Sequence, residues 1–550
     1  MKKFTLTIIK ILLSAAVLFL GYWFMLPPLN LRSPELYSFI IFAIIAVLVI
    51  CAFSDLLSVF KGAKVSVDDE KITTRFIRKF KKLGKPVKIG LGFIALIALV
   101  IFAGNIIGAQ IFNASRYNRL ITMQDGDFTA EVSEIGREQI PVVDRDTASR
   151  LGQRKLGEMS DLVSQFEIED IYTQINYNGK PVRVTPLRYG DAIKWLNNQK
   201  EGIPAYITVD MTTQETSLVR LEKGIKYSES EYFMRNIRRK LRFDYPTKIF
   251  GDISFEIDDN GTPYWVASTI EYRIGLFSGE DIGGAVLFNA QTGDSKYYDV
   301  EDVPTWVDQV YESDMVLQQL VFNGKYRSGW FNSIFGQKGV LQPTDGYNYL
   351  AINDDVWLYT GITSVTSDES NVGFVLTNLR TKETKYYAVP GAEEYSAMSS
   401  AQGQVQHLGY RATFPLLLNI ADRPSYFMSL KDSAGLVKMY AFVDVQQYQI
   451  VGTGNTVEES RLDYLSKLKT EDVEVSDTAS ENISGRVSAI SSAVVEGNTC
   501  YYIKLENSDK IFIVNVNMND ALPFMSVGSE IEITYSQENE KITVTKLTIK

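Results

Sequence analysis

The sequence predicts an α+β fold in which three amino-terminal transmembrane helices precede a repeated helix and antiparallel-hairpin ectodomain and a small carboxy-terminal β-barrel. Three observations predict it. The first 114 residues contain three apolar runs, a pattern of strands and helices recurs from Ile203 onward, and the last 70 residues read as five short strands. Helices beside antiparallel hairpins, several times over, are typical of an α+β architecture.

Each apolar run is long enough to cross a bilayer, for which about 20 apolar residues are needed. The runs extend from Phe4 to Leu26, from Ser38 to Phe60 and from Ile89 to Phe112. A cleavable signal peptide is the alternative for the first run. No small-x-small site follows that run, and Pro27 and Pro28 intervene, so a retained anchor over residues 1–114 is favoured.

The flanking charges predict the orientation, because Lys and Arg stay on the cytoplasmic side of a membrane. Lys2 and Lys3 precede the first run, and the loop 61–88 holds ten basic residues against three acidic. We therefore expect a multi-pass protein of the cell membrane, with a cytoplasmic amino terminus and an extracytoplasmic carboxy-terminal domain. Within the basic loop, apolar residues recur at helical spacing over 72–83. This pattern fits a purely topological signal, an amphipathic helix on anionic lipid or a docking site for a partner.

The charge is unevenly divided along the chain. Overall there are 56 basic and 66 acidic residues, a net charge of -10, but residues 1–114 hold 14 basic and 5 acidic, a net of +9. The other 436 residues therefore carry 42 basic and 61 acidic, a net of -19. An acidic region of this size would repel phosphate, so we expect no nucleic-acid partner. The membrane lipid is the expected partner of the anchor.

Several catalytic classes are disfavoured by composition. His407 is the only histidine, which removes His-rich zinc sites, HExxH chemistry and any Ser-His or Cys-His pair not built around it. Cys51 and Cys500 are too far apart in the predicted topology for a disulfide. We expect no metal and no cofactor. Catalysis by a pair of carboxylates stays open, since 61 acidic residues offer many pairs.

A unit of aromatic strand, second apolar strand, polar turn and short return strand recurs over residues 201–470, after a membrane-proximal region at 115–200. Its four versions start at Ile203, Gly261, Asp345 and Arg423, and Thr292-Gly293-Asp294 is a predicted hairpin turn. Helices are predicted between them at 228–242, 300–314, 393–406 and 457–468. The strands of residues 481–550 form a separate predicted unit.

The helix SESEYFMRNIRRKLR and the strands ISFEIDDNG, TPYWVASTIEY and AVLFNAQTGD resemble the PepSY module, in which a helix is followed by strands and a Val-x-x-Asp-x-x-Thr-Gly-like turn. Asn289 stands where that pattern often has Asp, and the third and fourth versions have Lys382 or Gln447 near the turn position instead of Gly. The resemblance implies an extracytoplasmic module that binds or restrains other proteins, and it brings no catalytic residues.

Two further resemblances concern the remainder of the chain. Residues 481–550, with a Gly-x-Val start and a Val-Gly-Ser-Glu-Ile turn, resemble a small OB-like barrel. The whole layout resembles uncharacterised multi-span envelope proteins of Gram-positive bacteria. The second resemblance implies an envelope location.

Two stretches are candidate binding sites. The first, 322–339, combines basic and aromatic side chains on a predicted Gly-rich loop and suits an interface hot spot or a glycan-stacking surface, or else packs one repeat against the next. Its candidate residues are Lys325, Tyr326, Arg327, Trp330, Phe331 and Phe335. The second, 391–410, is a predicted helix of small side chains with Glu394, Tyr395 and His407. A buried packing helix is its plain interpretation, and a Glu394–His407 catalytic pair is the alternative.

We favour a non-catalytic, membrane-anchored extracytoplasmic binding or scaffold protein that contacts another envelope protein or a wall component. The alternative is an envelope hydrolase or peptidase that uses carboxylates, which would need a concave pocket with two close acids and a raised pKa. A sensor that passes a binding signal to the basic loop is a third hypothesis.

Overall fold

A computed structural model describes residues 2–61, 85–134, 140–365, 370–470, 481–495, 498–519, 521–538 and 541–549. Most of the basic loop, including the amphipathic pattern at 72–83, lies outside the described residues. The chain divides into two compact units. The first unit comprises Met1–Asp127, Glu138–Ser396 and Ala434–Leu436, and the second comprises Phe128–Arg137, Ala397–Ser433 and Val437–Lys550.

The predicted apolar runs form three long helices in the first unit. These are α1 (Lys2–Met25), α2 (Pro34–Lys61) and α3 (Lys85–Gly108). Within them, Thr7–Met25, Pro34–Cys51 and Val87–Gly108 are long and apolar enough to cross a membrane. The prediction of three apolar amino-terminal helices is confirmed. A short helix, α4 (Gln110–Asn118), follows α3 after a break at Ala109, where the backbone ψ is 140°.

Shorter helices separate the sheets along the chain. They are α5 (Phe128–Glu131), α6 (Arg145–Gly157), α7 (Ala192–Asn198), α8 (Ile237–Asp244), α9 (Ser313–Tyr326), α10 (Gly329–Phe331), α11 (Glu394–Gln404) and α12 (Val457–Thr470). The helices predicted at 393–406 and 457–468 are thus found with small shifts of their ends. The protein is a mixed α+β structure.

Three sheets belong to the first unit. The strands of the first sheet are β2 (Phe166–Ile168), β3 (Thr173–Tyr177), β4 (Lys180–Tyr189), β5 (Ile203–Asp210) and β6 (Thr216–Ile225). Those of the second are β7 (Phe250–Ile257), β8 (Pro263–Ile274), β9 (Ser278–Asn289) and β10 (Ser295–Asp299). Those of the third are β1 (Gln124–Gly126), β11 (Leu341–Pro343), β12 (Asn348–Ile352), β13 (Asp355–Ser364), β14 (Ser370–Asn378), β15 (Thr384–Tyr387) and β16 (Gly391–Ala392). The first sheet has the order β2-β4-β5-β6, with β3 paired to β4, and the second has its strands in sequence order. The third is centred on β13 and β14, and β1 runs parallel to β15 at its edge.

The main core of the first unit lies between the second and third sheets and α9. Val266 and Leu287 of the second sheet, Val316 of α9, and Leu358 and Val375 of the third sheet are buried in one apolar cluster. Successive side chains of a strand point to opposite faces of its sheet, so one face of each sheet supplies this cluster. The first sheet pairs β2, β3 and β4, which lie in the predicted membrane-proximal region 115–200, with β5 and β6, which lie after residue 200.

The second unit contains two further antiparallel sheets. The fourth sheet consists of β17 (Arg411–Ala412), β18 (Leu416–Ile420), β19 (Arg423–Lys431), β20 (Val437–Asp444) and β21 (Val451–Gly454). The fifth has the order β24-β23-β22-β25-β26 and consists of β22 (Glu481–Val495), β23 (Asn498–Leu505), β24 (Ile511–Asn515), β25 (Glu530–Glu538) and β26 (Lys541–Ile549). Five strands are present as expected. No hydrogen-bond ladder between β24 and β26 closes them in the described part of the chain, so the predicted barrel is not found.

The same side-chain turn ends one long strand in each of the first four sheets: β5, β9, β14 and β20. The Oδ1 atom of the last strand residue accepts hydrogen bonds of 2.7–3.0 Å from the backbone N–H groups two and three residues later. The four residues are Asp210, Asn289, Asn378 and Asp444. The predicted turn at Thr292-Gly293-Asp294 is one of them. Short Asp and Asn side chains are suited to it because they can bond backbone two residues on.

Three sequence predictions of local structure need correction. Residues 300–314 are not a helix: a 3-10 turn at Val300–Asp302 ends before Pro304, whose ring cannot continue a helix, and α9 begins only at Ser313. The helix predicted at 228–242 is reduced to α8, which begins where the Asn236 side chain accepts from the Arg239 N–H. Residues 322–339 are not a Gly-rich loop, because α9, α10 and a π-helical turn at Asn332–Gly336 occupy much of the segment.

The hairpin between β8 and β9 packs directly against the membrane helices. Its tip, Gly275 to Phe277, places the Phe277 ring 5.5 Å from the Tyr37 ring of α2. A Cβ added to Gly104 of α3 would lie 2.7 Å from Phe277, and one added to Gly108 would lie 2.5 Å from Ser278. Two glycines four residues apart share a helix face, so α3 presents a shallow groove that the hairpin fills.

Three hydrogen bonds to backbone carbonyls reinforce this docking. The Leu29 N–H donates to the Pro246 carbonyl at 2.6 Å, Arg32 donates to the Tyr272 carbonyl at 3.0 Å, and Arg116 donates to the Arg273 carbonyl at 2.7 Å. All three donors lie just beyond the end of a membrane helix. The folded part of the first unit is therefore tied to all three spans at one end.

We expect Gly104→Leu to destabilise the full chain by about 1–3 kcal/mol, because the added side chain overlaps Phe277 in a packed contact. Chemical unfolding in detergent measures the loss, and hydrogen exchange over 274–279 should become faster. Gly92→Leu on the same helix is the matched control, since a Cβ there meets nothing within 4 Å. Equal stability of the two variants would contradict the docking.

Candidate functional site

The predicted aromatic and basic residues of 322–339 separate into buried and exposed groups. Tyr326 is buried and its hydroxyl bonds the Gln110 side chain, while half-buried Trp330 packs on the same cluster beside Tyr117. Phe331 and Phe335 are 69% and 78% exposed. The half-buried Lys325 ammonium lies 5.6 Å from the Tyr326 ring centroid. Arg327 is exposed and lines a separate cavity of about 280 Å³.

The structure does not bring Glu394 and His407 together in one unit. Glu394 is fully buried in the first unit, where Asn371 donates to its carboxylate at 3.4 Å and burial raises its pKa. His407 is exposed and belongs to the second unit. Tyr395 is 47% exposed. The plain interpretation of a packing helix suits α11, whose Ala397 and Ala401 are buried.

A cavity of about 760 Å³ lies where the first sheet meets the end of α1. Its walls come from β2 and β4, from the start of α7, from the segment before α8 and from Trp23 and Phe24 of α1. We call it the acidic cavity, because five carboxylates line it: Glu167, Glu169, Asp191, Glu229 and Glu231. Arg188 and Arg239 are the arginines among the lining residues.

Ion pairs reach four of these five carboxylates. Arg188 contacts Glu167 at 3.1 Å and Glu169 at 3.7 Å, Lys194 contacts Asp191 at 3.3 Å, and Arg238 contacts Glu229 at 2.6 Å. Burial raises the pKa of Glu169 despite the neighbouring Arg188. The lining itself holds five carboxylates and two arginines, and Lys194 and Arg238 pair with two of the acids from outside it, so the surface that faces the cavity carries more acidic than basic groups.

Glu231 is the most precisely held of the five acids. It is 3% exposed, the Trp195 indole N–H donates to Oε2 at 2.7 Å, and the Tyr189 hydroxyl donates to Oε1 at 2.9 Å. Burial raises the pKa of Glu231, and these two hydrogen bonds oppose that rise. Both carboxylate oxygens thus accept from side chains of the protein, which fixes the position of the Glu231 carboxylate at the wall of the cavity.

Aromatic side chains form the rim of the acidic cavity. Tyr232 lies 4.7 Å from Trp195, ring centre to ring centre, and Phe233 lies 6.1 Å from it. Phe233 has a φ of +50°, which is strained for an aromatic residue, and its carbonyl accepts from Arg239. The same guanidinium lies 4.4 Å from the Trp23 ring centroid. An aromatic rim over carboxylates suits recognition of an ammonium or guanidinium group.

The sequence analysis missed this cavity entirely. Its acids come from three stretches, 167–169, 191 and 229–231, that are 22 and 38 positions apart and share no motif. Asp191 carries one readable signal: its side chain caps α7 by accepting from the Ile193 and Lys194 N–H groups at 2.9 Å. That signal marks a helix start and no ligand site.

Apart from the acidic cavity, two buried carboxyl groups, those of Glu256 and Asp308, lie close together in the first unit. Glu256 is fully buried and accepts from the backbone N–H groups of Asp308 and Gln309 at 2.8 and 3.2 Å and from Ser254. Burial raises the pKa of Glu256 to about 7 and raises that of Asp308 well above its usual range. Neither carboxyl lines the acidic cavity. Within the described ranges, no group of three or more His, Cys, Asp or Glu is placed to hold a metal ion.

Comparisons with known proteins identify no family and no function for the chain. No protein-family model matches the chain, and no curated protein sequence matches it. Among solved structures, an exo-β-1,3-galactanase from Phanerochaete chrysosporium with bound β-1,3-galactotriose is 10% identical, with 70% of this chain and 82% of that chain covered. The TM-score of 0.19 is too low to support any inference about fold or activity.

We expect the protein to lose stability as the pH rises from about 4.5 through 7. The pKa of Glu256 is about 7 in the folded state and 4.5 in its ordinary state, so the folded protein keeps a proton that the unfolded chain releases. The stabilisation that this retained proton gives the folded state is complete below pH 4.5 and is lost above pH 7. Unfolding free energies measured across this range should fall by up to about 1.4 kcal/mol per pH unit.

Glu256→Gln should reduce this slope, because Glu256 no longer ionises, and Asp308, whose pKa burial also raises, should account for part of the slope that remains. Glu222→Gln, at an exposed position of β6, is the matched control and should leave the slope unchanged. A wild-type slope identical to that of Glu256→Gln would contradict the raised pKa.

Proposed function

We propose that the chain is a non-catalytic, membrane-anchored binding or scaffold protein of the cell envelope, with its folded units on the extracytoplasmic side. The acidic cavity carries this proposal: it is concave, is lined by five carboxylates, and lies beside the end of a membrane helix. Its partner is a positively charged segment of another envelope protein, recognised by the carboxylates and the aromatic rim.

The four sheets with a common turn support a repeated PepSY-like architecture. Each has a first hairpin, a second long strand, an Asx turn and a return strand in that order, with α7 inserted before the second long strand of the first sheet, and a helix precedes each set in the chain. We infer that the repeated part begins near α6, earlier than residue 201. In the fifth sheet, the long β22 pairs with β25 through its first half and with β23 through its second, which supports an OB-like arrangement.

Photocrosslinking in living cells tests the proposed partner. With p-benzoylphenylalanine in place of Tyr232 at the rim, we expect a discrete protease-sensitive adduct that is not formed from Tyr448, an equally accessible tyrosine of the second unit. An adduct that only a wall-degrading muramidase removes would identify a wall component instead. Identical patterns from both positions would count against the site.

Charge removal should weaken the association about tenfold or more, because charge-assisted hydrogen bonds are lost. The variant is Glu167→Gln with Glu229→Gln, read out as adduct yield from Tyr232. Asp161→Asn is the matched control: it also removes an exposed acid that pairs with an arginine, Arg220 at 2.9 Å, but it lies outside the cavity lining. An equal effect of both variants would contradict recognition by the cavity.

The alternative function is an envelope hydrolase or peptidase, and one observation favours it: burial raises the pKa of both Glu169 and Glu231 in one cavity. General acid catalysis needs such a carboxyl, and it contributes about 10²–10⁴-fold to a rate. Purified full-length protein would then release products from peptidoglycan or peptides, and Glu169→Gln or Glu231→Gln would reduce release by that factor. Absence of release by the wild type removes this function.

A further inference from the structure

A compact apolar surface lies outside the acidic cavity, on the π-helical turn after α10. Phe331, Ile334 and Phe335 are 69%, 46% and 78% exposed within five residues of chain. Isolated exposed apolar residues are ordinary, but a cluster of this kind marks an interaction surface. We call Gly329–Gly336 the aromatic segment.

The aromatic segment is anchored close to the point where α3 leaves the membrane. Trp330 packs against the cluster formed by Ala114, Tyr117 and Tyr326. The Tyr117 hydroxyl donates to the carbonyl of Gly108, the last residue of the third span, at 2.8 Å. The Tyr326 hydroxyl bonds Gln110, two residues further on. The segment therefore lies within one short helix of the membrane surface.

Further exposed apolar side chains lie along the chain between the third span and α4, on which the aromatic segment packs. Ile111 and Phe112 of α4 are 43% and 71% exposed, and Ile107 of α3 is 62% exposed. The exposed apolar residues thus continue along the chain from the membrane span into α4, the helix on which the aromatic segment packs. This continuity identifies lipid as the occupant of the surface.

The charges around the segment fit an anionic membrane surface. Lys325, Arg327 and Lys338 flank it, and residues 315–344 contain no Asp or Glu. Aromatic side chains with flanking basic residues are typical of segments that lie in the headgroup region of a bilayer. A protein partner would have to displace lipid from a surface that continues the span.

We propose that the aromatic segment inserts Phe331, Ile334 and Phe335 into the headgroup region of the membrane leaflet nearest the folded domain, with its basic neighbours on anionic lipid. The segment then acts as a fourth attachment to the membrane, beside the three spans. It holds α9 and the core behind it at a set height above the bilayer.

Fluorescence quenching by lipids tests this insertion in the full-length chain. Cys51→Ala and Cys500→Ser remove the native thiols, and Phe335→Cys or Phe331→Cys then carries an environment-sensitive nitrobenzoxadiazole label in proteoliposomes. Because both positions are exposed, the substitutions spare the core. Thr213→Cys, in the exposed polar turn after β5, is the control.

We expect both labels on the aromatic segment to be quenched by spin-labelled lipid at least threefold more strongly than the label at position 213. Replacing anionic lipid by neutral lipid should reduce that difference. A blue-shifted emission without quenching by lipid would show burial against protein and overturn the proposal. Equal quenching at all three positions would overturn it as well.

Discussion

The docking of the β8–β9 hairpin on α3 is the contact on which the rest of the first unit depends. Because Gly104 and Gly108 have no side chains, Phe277 and Ser278 fit closely against one face of α3. In lipid there is little hydrophobic gain from helix association, so close packing at small residues must supply the attraction. Gly108 is the last residue of the third span, and the hairpin tip also contacts Gly104, four residues before it. At a rise of about 1.5 Å per residue, the tip therefore extends about one helical turn along the span. The second sheet is therefore fixed to the membrane helices as a rigid extension.

Both candidate surfaces follow from that attachment. The acidic cavity needs Trp23 and Phe24 of α1 as one wall, and Arg242 and Phe243 of α8 hold that wall by contacts to Leu26 and Tyr22. The aromatic segment needs α4, which α3 positions through the Tyr117 hydroxyl bond to Gly108. A change in the hairpin contact would thus shift both surfaces relative to the bilayer. A binding protein whose site lies at the membrane surface recognises partners that are also held there, which reduces the search to two dimensions and raises their effective concentration.

Features that depend on a local sequence pattern, such as the apolar spans and one hairpin turn, could be predicted from the sequence. Apolar runs of about 20 residues predict spans without reference to any partner, and Thr292-Gly293 predicts a turn because Gly293 takes a φ of +85°. The equivalent turn in the third sheet has Lys382 at a φ of +65°, which only the surrounding fold can impose, so the Gly rule fails there. The spacing of Gly104 and Gly108 can be read from the chain, yet it would indicate a helix partner where the structure has a hairpin. The acidic cavity has no local pattern at all, since burial and long-range pairing bring its carboxylates together.

The state of Glu231 bears on the choice between binding and catalysis. A general acid must pass its proton to a substrate atom, so one of its oxygens must face that atom. In Glu231 both oxygens accept from Trp195 and Tyr189. Hydrogen bonds donated to a carboxylate stabilise its charged form, so these two bonds oppose the effect of burial on the pKa of Glu231. A carboxylate held in this way is suited to attract and orient a cation without changing its own protonation. Such an arrangement favours a binding site over a proton-transfer site, and it leaves Glu169, beside Arg188 with both groups nearer the solvent, as the residue on which any catalytic role would have to depend.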